Sequence, residues 1–182
     1  MSMTDNQLIQ LFLPIITTGL ITDGFEDVTV KQSNQPTMQG INTNGAVYFF
    51  KVANRRYGFL KRFDVWNSIS SQFDHTESQY FETTFQMTAL VLQNPLNTNL
   101  PTASDLINEV ASIMQSDNTR AILNASKVGI LRVPDITNPY FIDDRENFEA
   151  SPSFDFTLTY LNTRTSVTPL ITPPILQNIH GV

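Results

Sequence analysis

Five of the chain's eleven basic residues fall in one stretch, YFFKVANRRYGFLKRF, residues 48 to 63. They are Lys51, Arg55, Arg56, Lys61 and Arg62, interleaved with Tyr48, Phe49, Phe50, Tyr57, Phe59 and Phe63. Cations that meet phosphates, beside aromatic faces that stack on bases, are the chemistry of single-stranded nucleic-acid binding. The RNA-recognition strand runs basic, Gly, aromatic, Gly or Ala, Phe, Val, any residue, aromatic. With Tyr57-Gly58-Phe59-Leu60 on its middle, Arg55 falls correctly on the first position. Arg56 then occupies the glycine position and Arg62 the final aromatic one. Phe63 arrives one residue late, which on a strand is the opposite face. That fold also begins with an aromatic strand, whereas this chain begins with a helical pattern. The favoured reading is a hairpin with its aromatics in the core and its basic residues along the other face. Such a positive patch is expected to meet a negative surface, either a neighbouring subunit or passing DNA.

Other chemistry is poorly supplied. Asp143-Asp144-Arg145-Glu146 gathers carboxylates, but hard-cation loops need spaced ligands and usually a glycine to turn sharply, so a solvated loop is expected. His75 follows Asp74 and could pair with it, although no G-x-S-x-G nucleophile turn accompanies them. A surface histidine in a polar loop is the expectation. Neither G-x-x-x-x-G-K nor H-E-x-x-H occurs. With no cysteine and two histidines, thiolate chemistry is excluded and zinc has few ligands. No enzyme, cofactor or metal is expected.

The totals narrow the class further. At 182 residues the chain can bury a real core in one domain. Its longest apolar run, Leu11 to Ile16, is broken by Pro14 and falls far short of the roughly 20 residues that span a bilayer. No basic region precedes it and no clear cleavage site follows, so neither a signal peptide nor a membrane partner is expected. Charged residues make up only 15%, with Thr, Asn, Gln and Ser supplying the polarity. Such a surface suits burial against partners. The net charge of −6 disfavours general nucleic-acid affinity. Residues 64 to 117 hold seven acids and no base, against five bases and no acid in 51 to 62.

The elements that must position these residues follow from periodicity. Thr4 and Gln7 form a capping box ahead of Leu8, Leu11, Phe12 and Ile15, whose helix is expected to end near Thr17-Thr18-Gly19, with Pro14 predicting a kink or an early stop inside it. Asp23 to Asp27 reads as an acidic loop, Val28 and Val30 begin an extended segment, and residues 32 to 45 are turn-rich. Ala46–Val52 and Tyr57–Val65 predict a hairpin turning at residues 53 to 56, followed by a polar connection from Asn67 to Ser78. QYFETTFQMTALVLQ alternates with period two and is the strongest strand. Thr102 caps a helix whose apolar stripe is Ala103, Leu106, Ile107, Val110, Ala111 and Met114. A short helix over 117 to 125 follows, burying Ile122 and Leu123, and then a strand over 128 to 133. After a loop containing Pro134 and Pro139, SFDFTLTYL is the last clear strand, with Phe154, Phe156, Leu158 and Tyr160 facing in.

These patterns predict an α+β fold, a mainly antiparallel sheet flanked by helices, with a single domain over residues 1–166. Residues 167–182 predict an extended Pro-rich arm. Its Leu170, Ile171, Ile175 and Leu176 are too apolar for a free tail and are expected to dock on the domain or on a neighbour.

The order of LIQLFLPII, ESQYFETTFQMTALVLQNP, ASDLINEVASIMQSDNTRAILNASKVGILRV and ENFEASPSFDFTLTYLNTRT resembles a known family. It looks like the bacteriophage neck or tail terminator proteins of contractile-tailed phages, the gp12-like terminator family, over roughly residues 5 to 168. The resemblance implies a virion structural protein assembled in the host cytoplasm. Its copies would form a homo-oligomeric ring, usually a hexamer. The ring would cap the tail tube and join it to the head connector, contacting tube and possibly sheath proteins, with DNA in transit through the lumen. The family offers no catalytic residues. A head-completion or connector subunit of the neck is the alternative within this class. A single-stranded nucleic-acid-binding module using the 48 to 63 hairpin is the rival outside it. A hydrolase built on His75 has little but that histidine to support it.

Overall fold

The computed structural model describes residues 3–33, 45–91, 99–142 and 148–168. In chain order the elements are α1 (Asp5–Thr22), β1 (Thr29–Gln32), β2 (Ala46–Asn67), β3 (Gln72–Leu90), α2 (Ala103–Gln115), α3 (Asp117–Ala125), β4 (Val128–Ile130), β5 (Tyr140–Ile142), β6 (Phe148–Ala150) and β7 (Ser153–Thr168). Five strands form one sheet in the order β1-β2-β3-β7-β4, and β5 and β6 make a separate two-stranded ribbon. Only the β1–β2 pair is parallel; the other pairs in the sheet are antiparallel. The fold is therefore α+β with a mainly antiparallel sheet, as the periodicity predicts.

Helices start where side chains satisfy their first free N–H groups. Thr4 with Gln7 caps α1, and Thr102 with Asp105 caps α2, each as a reciprocal box. Both helices lay their apolar stripes on one face of the sheet. Phe12 is fully buried, with its ring edge-on to Phe49, Phe85 and Phe156 at centroid distances of 5.2, 5.0 and 5.3 Å. Every predicted stripe residue of α2 is buried, and Ile113 joins them against α1. At that crossing a Cβ on Gly19 would lie 2.8 Å from the Ile113 side chain, so the glycine permits the close approach of the two helices.

Several expectations are corrected. Pro14 does not stop α1, which continues to Thr22. Pro14 and Gln10, whose carbonyl loses its helical donor, lie on the exposed side of the helix where water can replace that bond. The hairpin does not turn at 53 to 56, because β2 runs unbroken in chain direction from Ala46 to Asn67. Register shifts at Lys51/Ala53 and Tyr57/Lys61 absorb the irregular residues, with Gly58 at φ +72°. The turn lies at Ser68–Ser71 instead. There the Asn67 side-chain oxygen accepts from the backbone N–H of Ile69 and Ser70, at 3.1 and 3.3 Å. Most of the predicted 67 to 78 connection is thus strand. Ile122 is exposed while Leu123 is buried. The expected 128 to 133 strand ends at Ile130. The Asp143–Glu146 carboxylates and most of the turn-rich 32 to 45 segment lie outside the described residues.

Candidate functional site: a three-stranded projection

Near Phe81 and Tyr160 the helix-covered part of the sheet ends, but β2, β3 and β7 do not. They continue together as a three-stranded projection in which β2 is exposed from Val52 to Trp66. The register assigns its two faces. On the helix side stand Arg56, Arg62, Asp64 and Trp66 of β2, with Phe73, His75, Glu77 and Phe81 of β3 and Arg164 of β7. On the opposite side stand Arg55, Tyr57, Lys61, Phe63 and Val65, with Tyr80, Leu161 and Val167.

The helix-side face is knitted by cross-strand pairs. Arg62 Nε donates to Glu77 Oε1 at 3.0 Å, and His75 Nδ1 lies 2.6 Å from Asp64 Oδ1. His75 Nε2 is 3.5 Å from the same Glu77 oxygen. Hydrogen bonding to Asp64, and secondarily the Glu77 carboxylate, holds the His75 pKa above its ordinary value. The anticipated Asp74 pairing does not occur, since Asp74 accepts from Asn67 instead. The histidine belongs to a strand, not a loop. Arg56 lies over the Phe81 ring at 5.6 Å, and Phe81 stacks on Tyr160. Near the turn, Trp66 meets Phe73 edge-on at 5.0 Å.

The sequence-predicted basic face is not assembled. Arg55 and Arg56 are adjacent, as are Lys61 and Arg62, so strand alternation sends each pair to opposite faces. Lys51 sits at the root, 2.7 Å from Asp5 of α1. Arg55 and Lys61 make no ion pair among the described residues. Nor are the aromatics all in a core, since Tyr57, Phe59 and Phe63 are exposed, Phe59 by 97%. Leu170, Ile171, Ile175 and Leu176 lie outside the described residues. Reading the sequence missed the apolar load of the projection: Trp66, Ile69, Phe73, Tyr80, Leu161 and Val167 are all exposed. The available signal was length, because strands of 16 to 22 residues far exceed the roughly 3–10 usual in globular proteins.

A second feature is a groove of about 650 Å³ between the three helices, lined by Leu11, Pro14, Ile15, Ile113 and Ile122 among others. Glu109 at its edge has its carboxyl pKa pushed up by burial, then by hydrogen bonding to Asp23 and by that residue's charge. Among the described residues no group of three or more His, Cys, Asp or Glu comes together as a metal site. No described helix is long and apolar enough to cross a membrane.

The family model described as E217 gateway protein gp29 matches residues 7–170. The chain belongs to this family. This match, with a terminator fold among solved structures, bears out the resemblance to phage neck and tail proteins read from the sequence. Among solved structures, the gateway-family chain is similar to the sheath/tube terminator of PVC, an extracellular contractile injection system, in its extended state. The TM-score is 0.50 at 11% identity, over 94% of this chain and 62% of the other, so this chain spans less than two thirds of that terminator. No curated protein sequence matches the gateway-family chain.

Proposed function

We propose that the chain is a virion structural subunit, a tail or neck terminator whose copies assemble into a ring. The ring caps the tail tube beside the sheath and joins it to the head connector, with DNA passing through the lumen. The observation that carries this reading is the projection, which exposes aromatic and aliphatic side chains on both faces and at its turn. Contiguous apolar surface of that kind marks a protein interface. The acidic total favours a lumen that DNA traverses without being gripped. In this reading residues 1–166, with the last two residues of β7, Val167 and Thr168, act as one domain, and Leu170, Ile171, Ile175 and Leu176 of the arm brace a neighbour. Six copies follow from the family resemblance, as do residence in the virion and assembly in the host cytoplasm. The role is structural, without catalysis. Native mass spectrometry with negative-stain imaging tests it, and a closed ring with a central hole is expected. A chain that remains monomeric both alone and on isolated tail ends would overturn the ring.

A second reading has one observation behind it: exposed Tyr57 and Phe59 lie in the same strand as Arg55 and Lys61, which make no ion pair among the described residues. Single-strand binding predicts salt-sensitive retention of short oligonucleotides that Tyr57→Ala weakens. No retention at low salt ends it.

A further inference from the structure

The projection has two edges without a strand partner among the described residues. β1 pairs with β2 only over Ala46–Phe49, which leaves β2 open on that side from Phe50 to Asn67. β4 pairs with β7 only over Leu158–Tyr160, which leaves β7 open from Leu161 to Thr168. Open edges are ordinarily blunted by bulges, prolines or charges, since each presents unpaired N–H and C=O groups. The inner part of β2 is blunted in this way by its two register shifts. Its outer part has no such shift, since Lys61–Asn67 runs in unbroken register with β3, and the charges it carries, Lys61, Arg62 and Asp64, are what a partner edge must match. β7 keeps one register with β3 from Ser153 to Thr168, with no proline in the strand and with β-branched Thr163, Thr165 and Val167 on its outer half.

Two regular segments of similar length therefore flank the projection, 61–67 on one edge and 161–168 on the other. Both strands pair antiparallel with β3, so they run in the same direction, from the body toward the turn. Within one chain they cannot meet, because β3 lies between them. A second copy related by rotation can bring them together. The charges select a register. Arg164 is the only charged residue of 161–168, and Asp64 is the only acid of 61–67. Both stand on the helix-side face. Setting Arg164 at the level of Arg62 instead would oppose two cations.

We infer that β7 of one copy adds as a parallel strand to β2 of the next, residues 161–167 beside 61–67, with Arg164 against the neighbour's Asp64. This rests on the proposed self-assembly and specifies its contact. The register sets Thr163 beside Phe63 and Thr165 beside Val65 on the opposite face, which covers two of the exposed apolar side chains. The contact is heterologous, one edge meeting a different edge, as ring closure requires.

The chain has no cysteine, so the double variant Phe63→Cys with Thr163→Cys carries the only two thiols. In one chain these positions are two strand spacings across and two residues along, roughly 12 Å apart, beyond the roughly 7 Å between Cα atoms that a disulfide can bridge. Any disulfide between them must link two copies. Mild oxidation of the assembled variant should give a ladder of covalent oligomers on a non-reducing gel, and Val65→Cys with Thr165→Cys should do the same. Phe63→Cys with Arg164→Cys, on opposite faces, should give none. Asp64→Arg should abolish assembly, and adding Arg164→Asp should restore it. Rings in native mass spectra without a ladder from either same-face pair would overturn the strand pairing while leaving the ring intact. A wild-type chain that never assembles would instead remove the ring on which the pairing depends.

Discussion

β2, β3 and β7 each occupy two environments. Near the body their alternating residues meet helices, and Phe49, Phe85 and Phe156 close around Phe12. In the projection the same strands keep the same alternation, but Arg62, Asp64, His75 and Glu77 occupy the face that is apolar further down. One half is stabilised by burial within the chain. The other is held by hydrogen-bonded strands and cross-strand ion pairs, with its apolar residues exposed. A period-two pattern reports that a strand exists, and it does not report what will cover it.

Mutations can break or sharpen that contrast. The largest effect is expected at Phe12→Ala, which removes the ring at the centre of four and should cost about 3–5 kcal/mol, read as a lower urea midpoint. A small loss there would mean that the helices contribute little to holding the sheet. Gly19→Ala should cost about 1–3 kcal/mol by overpacking against Ile113. Thermal unfolding checks it, and an unchanged midpoint would show that the α1–α2 crossing can yield.

The two halves should also titrate in separate windows. His75 binds its proton more tightly folded than unfolded, so its contribution is complete below the ordinary 6.5 and lost as pH rises through the raised folded value. Glu109 behaves alike in a lower window, its contribution complete below about 4.5 and lost as pH rises through its raised value. Stability profiles of His75→Gln and Glu109→Gln should each flatten in one window only. A single variant that flattened both would deny that the halves are separate. The smallest effect is expected at Phe59→Ser, within about 0.5 kcal/mol of the parent because the ring touches so little. A loss of several kcal/mol would show that Phe59 is buried after all.

Much of the body was legible. The Thr4 capping box, the Thr102 cap, the α2 stripe and the inward set Phe154, Phe156, Leu158 and Tyr160 follow from spacing alone, because the physics that sets them is local. The projection was less legible, for two reasons. Ala53-Asn54-Arg55-Arg56 looks like a turn, yet pairing with β3 overrides it and places the turn where Asn67 can accept from two backbone N–H groups. Exposed aromatics such as Tyr57 and Phe63 also carry the same signature as core aromatics. The division of Arg55 from Arg56, and of Lys61 from Arg62, was available in principle, since adjacent strand residues never share a face.

The register shift at Lys51/Ala53 sits at the base of the projection, next to the Lys51–Asp5 ion pair. Mechanically the projection is a cantilever, with that shift as its fixed end. From Thr84, opposite that shift, to Gln72 at the turn, thirteen residues of β3 give a lever of roughly 40 Å. A change of about 10° in bearing at the base would sweep the free end by roughly 7 Å, more than one strand spacing. A single inserted residue at Val52 therefore aims the whole beam, and deleting it would misdirect the tip without touching a residue there.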